Sequence, residues 1–468
     1  MASIRLSHYG LPLLLALQLC ACSVAPPAPA PAAVLSSGWK SVAPQGWVST
    51  ADYQLWQEGR WWALFGDESL DALMPRIEIG NQNLALALAN VAQAEALLRQ
   101  TEAQRWPTLG AQLNEQRSGS PARGSALLGV TASWAPDLWG RLGEAARAQG
   151  ANVQVSQANL AAARLAAQGN LANAYFGLRE ADEEIRLLDD IVEGYRRALT
   201  ITENNYQAAQ AAQTDVLQAQ STLQSALATR AGLQRNRDTF EHAIALLIGE
   251  APANFALPPA PWVKTVPLVP PELPSELLLR RPDVAAAERV VAAANANIGV
   301  ARAAWFPSLN LSASVGRGAT SLASLVSAPA LTWSLGAALA QPIFNAGAID
   351  AAIDQALAAH RGASASYRQA ALTALGQVED QLTALDALAT QITHTRLAAD
   401  AATGAEQRIL NSYRAGIAAY TNVVTAQASA LTARRSLIQL QLQRQQAAVG
   451  LIQALGGGWQ APWGQPPS

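Results

Sequence analysis

The sequence predicts a mainly helical, internally duplicated fold that also carries four short β-strands. Residues 142–207 and 346–415 contain no proline and are rich in alanine and glutamine, a composition that favours long helices packed through small side chains. Four short segments alternate apolar with small or polar residues, which is the period of a strand with two different faces. Landmarks of the first half of the chain recur in the second half.

Composition excludes several classes of protein. Only 14% of residues are charged, half are hydrophobic, and the formal net charge is −2. A nearly neutral chain offers no bulk electrostatic attraction to nucleic acid or to an anionic membrane surface. We therefore expect no nucleic-acid partner.

The N-terminus has the pattern of a secretory signal. Arg5 precedes an apolar run at 11–19, which is too short to remain as a membrane-spanning helix. Residues 19–22 resemble a bacterial lipobox, and Cys22 fits the modified position better than Cys20, which follows the bulky Leu19. Cleavage before Cys22 would leave one lipid-blocked thiol and no possible disulfide within the mature chain. The alternative is an ordinary cleaved signal with incidental cysteines.

The duplication sets the domain organisation. Residues 106–109 (WPTL) recur as 306–309 (FPSL), and residues 214–216 (TDV) recur as 421–423 (TNV). Such long copies indicate a duplicated architecture, not a solenoid with a period of ~20–50 residues. The chain then divides into residues 1–21 (signal peptide), 22–66 (tether and N-terminal segment), 67–250 (first repeat), 251–274 (linker), 275–455 (second repeat) and 456–468 (C-terminal tail). Each repeat reads as a helix, two strands and a long helical hairpin.

The four strands are predicted at residues 108–116, 126–136, 308–316 and 331–341. Each has about ten residues, the length with which a tilted strand crosses the hydrocarbon layer. In an outer-membrane barrel the apolar face contacts lipid and the small polar face lines a wet lumen. Single-chain barrels need ~8 or more strands, and an open edge in lipid leaves backbone groups unpaired. If these strands lie in a membrane, several chains must share one barrel.

The four long-helix segments form two hairpins. Some 65 residues of helix extend ~100 Å, and the returning helices carry apolar residues seven apart, which marks a coiled-coil seam. The seam residues are Leu233, Phe240 and Leu247, then Val424, Leu431 and Ile438. A plain soluble coiled coil is the alternative, but it explains neither the lipobox nor the strands.

Several segments, taken in order and spacing, resemble the TolC-like outer-membrane factors, in particular the NodT-type lipoproteins that serve resistance-nodulation-division pumps. They are residues 65–70 (FGDESL), 273–284 (LPSELLLRRPDV), 301–307 (ARAAWFP), 341–344 (QPIF) and 454–459 (ALGGGW). Together they cover the mature chain almost from end to end. The resemblance implies a homotrimer with a twelve-stranded β-barrel, four strands per chain, continued by a twelve-helix α-barrel.

The resemblance also implies orientation and role. It puts loops 117–124 and 318–327 outside the cell, hairpin tips 208–213 and 416–419 towards the pump, and segments 48–62 and 251–274 around the tunnel at its equator. The implied protein sits in the outer membrane of a Gram-negative cell, lipid-anchored and extending into the periplasm. It passively conducts cargo delivered by an inner-membrane pump and a periplasmic adaptor.

No catalytic, cofactor or metal site is expected. His242, His360 and His394 are scattered along predicted helices, without the spacing of a metal or acid–base site. The glycine run at 456–458 is interpreted as a helix cap.

In the family the tunnel narrows at the periplasmic tips, and the matching residues of this chain are candidates for a gate. They are Tyr413, Arg414, Gly416, Tyr420, Asn422 and Thr425, with Asp215 and Gln218 on the other hairpin. We hypothesise that Arg414 and Asp215 belong to a polar network that holds the tip closed; the alternative is a solvated surface pair.

Two positions depart from the family pattern. Thr425 stands where the family often has aspartate, so a ring of carboxylates is absent. Ala209 stands where the second copy has Gly416, and alanine in a left-handed conformation would cost ~1–2 kcal/mol. We therefore expect the first turn to have a different shape.

Other functions remain open from sequence alone. A duct for polypeptides secreted by an ATP-driven exporter is one, and a structural periplasmic lipoprotein without a pore is another. An enzyme is the third, although no site constellation supports it.

Overall fold

The computed structural model describes residues 38–40, 54–56, 58–119, 123–267, 280–327 and 330–463. The signal peptide at 1–21, the lipidation candidate Cys22 and much of the tether segment lie outside these ranges. So do residues 268–274 of the linker and most of the 273–284 landmark.

The helices repeat in length along the chain, which confirms the duplicated, mainly helical fold. They are α1 (Glu68–Gly80), α2 (Gln82–Ala103), α3 (Arg141–Gln207), α4 (Gln213–Leu247), α5 (Pro282–Ala303), α6 (Leu322–Ser327), α7 (Ala348–Arg414) and α8 (Tyr420–Ala454). Helices α2 and α5 each have 22 residues, α3 and α7 each have 67, and α4 and α8 each have 35. Two 3₁₀ helices, Trp61–Phe65 and Pro252–Asn254, precede α1 and follow α4. Among the described residues, no helix is both long and apolar enough to cross a bilayer.

One antiparallel sheet joins the two repeats. Its strands are β1 (Thr108–Ser118), β2 (Arg123–Trp134), β3 (Ser308–Ala319) and β4 (Ala330–Ala340), in the order β1-β2-β3-β4. The central pair brings β2 of the first repeat against β3 of the second, with Val130 opposite Val315. Strand β2 begins earlier than predicted and ends at Trp134, just before Pro136, because proline cannot donate to a ladder. The outer edges of β1 and β4 pair with no other described strand.

The sheet has two chemically different faces. On one face Leu331, Trp333 and Leu335 are 73%, 67% and 76% exposed. On the other, Ser314 and Ser334 lie opposite each other with their hydroxyls 2.9 Å apart. The alternation predicted from sequence is thus present as an exposed apolar surface backed by a hydroxyl-rich one.

The chain forms two compact units, and each takes residues from both repeats. The first contains 89–158 and 286–370, and with them the sheet. The second contains 34–88, 159–285 and 371–468. Its core packs Trp61, Phe65 and Leu70 with Tyr175 and Phe176, all essentially inaccessible to solvent.

Asp67 connects two parts of that core. Its carboxylate caps α1 by accepting hydrogen bonds from the backbone N–H groups of Ser69 (3.0 Å) and Leu70 (3.2 Å). The same oxygen accepts a bond of 2.7 Å from the hydroxyl of Tyr175 in α3. The cap satisfies orphan donors of α1 and fixes its start against α3.

The glycine run after α8 does more than cap a helix. Gly456, Gly457 and Gly458 all have positive φ angles. A Cβ atom at Gly456 would lie 2.0 Å from the carbonyl oxygen of Arg280, and one at Gly458 would lie 1.9 Å from that of Trp56. The run therefore combines left-handed backbone with close passage of other chain segments, and only glycine allows both.

We predict that Gly458→Ala lowers the free energy of unfolding by roughly 2 kcal/mol or more, because it adds left-handed strain to a backbone clash. The thermal unfolding midpoint in detergent should fall by at least about 2 °C. Gly404→Ala is the matched control, since no atom lies within 4 Å of its added Cβ and its φ is not positive. Equal midpoints for the two variants would contradict this account of the glycine run.

Candidate functional site

The two hairpin tips have the same backbone turn. At the first tip the N–H of Ala209 donates to the carbonyl of Tyr206 (2.9 Å), and that of Gln210 donates to Asn205 (2.8 Å). The second tip repeats both bonds at 2.9 Å, from Gly416 to Tyr413 and from Ile417 to Ser412. This pair of bonds is the Schellman motif, in which one residue is left-handed.

Ala209 and Gly416 occupy that left-handed position, with φ angles of 56° and 73°. The expectation that the first turn differs in shape is therefore wrong. The hydrogen bonds that close the end of α3 impose the turn, and Ala209 accepts the strain that glycine avoids at Gly416.

The helices that leave the tips start differently. Neither N-cap residue, Ala212 for α4 or Ala419 for α8, offers a side chain to the first turn. Helix α4 carries Asp215 in its first turn, where a carboxylate interacts favourably with the helix dipole. Helix α8 has no acidic residue there. The two tips thus share backbone geometry but not charge.

Two of the gate candidates pack inside the protomer. The rings of Tyr413 and Tyr420 lie 5.3 Å apart, and Tyr420 is only 3% exposed. Tyr420 packs with Ala219 of α4, while the hydroxyl of Tyr413 lies 3.2 Å from Oγ1 of Thr202 in α3. Burial raises the pKa of Tyr420 to about 12, so its phenol is neutral at physiological pH. These tyrosines hold the second hairpin against the first.

The other candidates are at the surface of the protomer. Arg414, Gly416, Asn422, Thr425 and Gln218 are exposed. The hydroxyl of Thr425 donates to the backbone carbonyl of Thr421, 3.0 Å away. Within the described part of the chain, no ion pair joins Arg414 to Asp215. The structure of one protomer thus brings the tyrosines together and leaves the polar candidates apart.

A buried ionic network was not anticipated from sequence. Arg179, 1% exposed, donates to Asp182 (3.0 Å), to the carbonyl of Pro258 (2.9 Å) and to the hydroxyl of Tyr175 (3.1 Å). Arg237 of α4 donates to the other oxygen of Asp182, 2.8 Å away. The only sequence signal was an Arg and an Asp three residues apart in an alanine-rich helix. The network ties α3, α4 and the linker together.

The linker is also tied to α8. The indole N–H of Trp262 donates to Oε1 of Gln445 (2.8 Å), and the amide of Gln445 donates back to the carbonyl of Val263 (2.7 Å). Lys264 reaches Glu183 of α3 at 3.0 Å. Residues 262–264 therefore bridge α3 and α8.

A second buried group connects α3 directly to α8. Glu184, 1% exposed, accepts from Nη2 of Arg435 at 3.0 Å and from the amide of Gln439 at 3.1 Å. Glu180, one turn earlier on α3, is 9% exposed. Across the described ranges, no cluster of three His, Cys, Asp or Glu side chains could hold a metal ion.

Comparisons with known proteins agree with this architecture. The family described as outer membrane efflux protein matches residues 73–250 and 273–457. The chain is 33% identical over 422 residues to the pyoverdine export outer membrane protein OpmQ of Pseudomonas aeruginosa, covering 86% of this chain and 88% of that protein. It is 30% identical over 429 residues to the cation efflux system protein CusC of Escherichia coli O6:H1, covering 90% and 92%. A solved structure of CusC superposes on this chain with a TM-score of 0.83 at 27% identity, covering 93% of this chain and 100% of that one. The outer-membrane channel OprN superposes with a TM-score of 0.82, also at 27% identity, covering 94% and 100%.

We predict opposite effects of exchanging the two left-handed residues. Ala209→Gly removes left-handed strain of about 1 kcal/mol, and Gly416→Ala adds a similar strain. Amide hydrogen exchange in the last turn of α3 should slow about fivefold in the first variant, and exchange in the last turn of α7 should speed up about fivefold in the second.

Ala208→Gly is the control, because Ala208 has no positive φ and gains nothing from glycine there. If Ala208→Gly and Ala209→Gly change exchange in the same direction, Ala209 is not strained.

Proposed function

The chain belongs to the outer membrane efflux protein family, and from that premise we propose that three copies form the outer-membrane channel of a tripartite efflux system. The observation that carries the proposal is the open four-stranded sheet with an exposed apolar face. Edge strands in lipid must find partners. Pairing β4 of one copy with β1 of the next closes a barrel of twelve strands without an unpaired edge.

The polar face of the sheet supports a wet interior. In β3 and β4 it carries Ser312, Ser314 and Ser334, and Asn310 accepts a hydrogen bond of 3.4 Å from Ser133 of β2. Hydroxyl and amide groups of this kind suit a water-filled lumen. The duct lowers the barrier to crossing by replacing hydrocarbon with water, and the pump supplies the energy.

The partners are a periplasmic adaptor and an inner-membrane pump of the resistance-nodulation-division class. The names of OpmQ and CusC refer to export of pyoverdine and to efflux of cations, so relatives that share this architecture carry unlike cargo. This supports a duct whose cargo is chosen by the pump and adaptor. The hairpin tips, with their matched turns, are the surface we assign to adaptor docking.

Cys22 is the proposed lipid anchor of the mature chain. A lipidated cysteine followed by an Ala/Pro-rich tether would hold each protomer to the inner leaflet independently of the barrel.

We also propose that Arg414 and Asp215 act between protomers. They form no pair within one chain, although Arg414 is exposed and Asp215 is partly so. A contact across the threefold axis would use both and hold the periplasmic end closed.

We predict that the detergent-solubilised protein has the mass of three 49.1 kDa chains, less the signal peptides, and conducts ions in planar bilayers. Light scattering coupled to size exclusion measures the first property, and single-channel recording measures the second. A delipidated protein that is a water-soluble monomer without conductance would contradict the channel and favour a structural lipoprotein.

Arg414→Ala should raise the closed-state conductance severalfold, because it removes one side of the proposed contact between protomers. Arg396→Ala is the matched control, since Arg396 is exposed on the same helix but lies several turns from the tip. Unchanged conductance in Arg414→Ala, or an equal rise in both variants, would remove Arg414 from the gate.

Cys22→Ala should abolish incorporation of labelled palmitate while leaving the trimer intact, because the strands form the barrel. Cys20→Ala is the control and should still incorporate the label. Labelled Cys22→Ala protein would refute the assignment of the anchor.

A further inference from the structure

Helix α3 buries two carboxyl groups one turn apart, at Glu180 and Glu184. They meet α8 through Arg435, whose Nη2 and Nε lie 3.0 Å and 3.2 Å from one oxygen of Glu184. Gln439 supplies a neutral donor to the other oxygen. The contact joins the first hairpin to the second within one protomer, between residues about 250 positions apart in sequence.

The neighbouring cations each pair with another carboxylate. Arg179 and Arg237 pair with Asp182, and Arg186 and Lys264 pair with Glu183. These four cations therefore do not compensate the charge of Glu180.

From the other helices, the charged group that acts on Glu180 is Arg435 of α8, while the adjacent Arg434 acts on Glu406 of α7. Two buried carboxyls thus face one guanidinium. Two full negative charges there would leave one uncompensated, which a buried site does not tolerate.

We propose that Glu180 and Glu184 share one proton and, with Arg435, form a proton-dependent clasp between α3 and α8. With the proton in place, Glu180 donates to Glu184, and the single remaining charge pairs with Arg435. Removal of the proton leaves two carboxylates in contact, and their repulsion weakens the hold of α3 on α8.

Burial, followed by the charge of Glu184, raises the pKa of Glu180 to about 8 from an ordinary value of 4.5. When the helices separate, Glu180 meets water and returns towards its ordinary pKa. The proton therefore stabilises the closed contact fully below pH 4.5. This stabilisation is lost progressively as the pH rises, and it has gone once the pH passes about 8.

The direct test is hydrogen exchange of α8 amides near Arg435 at pH 6 and pH 8.5, corrected for intrinsic rates. Between these values, opening of the wild-type contact should increase by tenfold or more. In Glu180→Gln, whose amide mimics the protonated acid, opening should change less than threefold. Glu193→Gln is the matched control, because Glu193 is on the same helix but 55% exposed, and it should behave like the wild type.

A second variant keeps the test valid if Glu180→Gln fails to fold. Glu184→Gln removes the repulsion by the neighbouring carboxylate and leaves Arg435 free to pair with Glu180, so it should reduce the pH dependence although Glu180 stays buried. Equal pH dependence in the wild type, Glu180→Gln and Glu184→Gln would overturn the clasp.

The effect of the clasp on conduction rests on the proposed channel. Wild-type conductance should exceed that of Glu180→Gln at pH 8.5 and equal it at pH 6. Equal conductance at both pH values, in channels that do conduct, would overturn any link from the clasp to opening. Absence of conductance in every variant would instead contradict the proposed function, and the exchange result would still decide whether the clasp exists.

Discussion

The unpaired edges of the sheet are the constraint on which the rest of the molecule depends. Strands β1 and β4 each present a row of backbone donors and acceptors, and the apolar face between them is exposed. In lipid each unpaired group costs several kcal/mol, while in water the apolar face would favour aggregation. The isolated protomer is therefore an incomplete structure in either solvent. Closure by copies of the same chain satisfies both demands, because it pairs the edges and turns the apolar face outwards.

A different problem arises where the long helices bury alanines such as Ala219, Ala226 and Ala430. Small side chains let helices approach closely, but they specify register poorly because one alanine packs much like the next. Buried polar groups supply that register: Arg179, Asp182 and Arg237 fix α3 against α4 and the linker. Replacing one partner of such a network leaves a buried charge unpaired, so the network discriminates strongly against misaligned helices even where its net contribution to stability is small.

Local sequence patterns predicted the fold well, because the helices and strands follow from patterns that repeat every few residues. The absence of proline predicted α3 and α7, and strict alternation predicted the four strands, apart from both ends of β2 and the later ends of β1 and β3. The buried ion pairs could not be predicted from sequence, because Glu184 and Arg435 are separated by 251 positions. A buried arginine also looks the same in sequence as an exposed one. The error at Ala209 has another origin: the preference of one residue was weighed without the two hydrogen bonds that determine the turn. Among the gate candidates, sequence could not separate the packed Tyr420 from the exposed Arg414.

The duplication copied the backbone and not the polar contacts. Helices α3 and α7 have equal lengths, so Glu180 and Glu184 correspond to Ala387 and Gln391. Likewise Arg435 of α8 corresponds to Ala228 of α4. The acidic pair and its cation therefore occur once in each chain, between α3 and α8, and the matching positions on α7 and α4 cannot titrate. Loss of the proton can consequently weaken only the α3–α8 contact, so the pH response of this clasp moves the two hairpins unequally even though their helices have equal lengths.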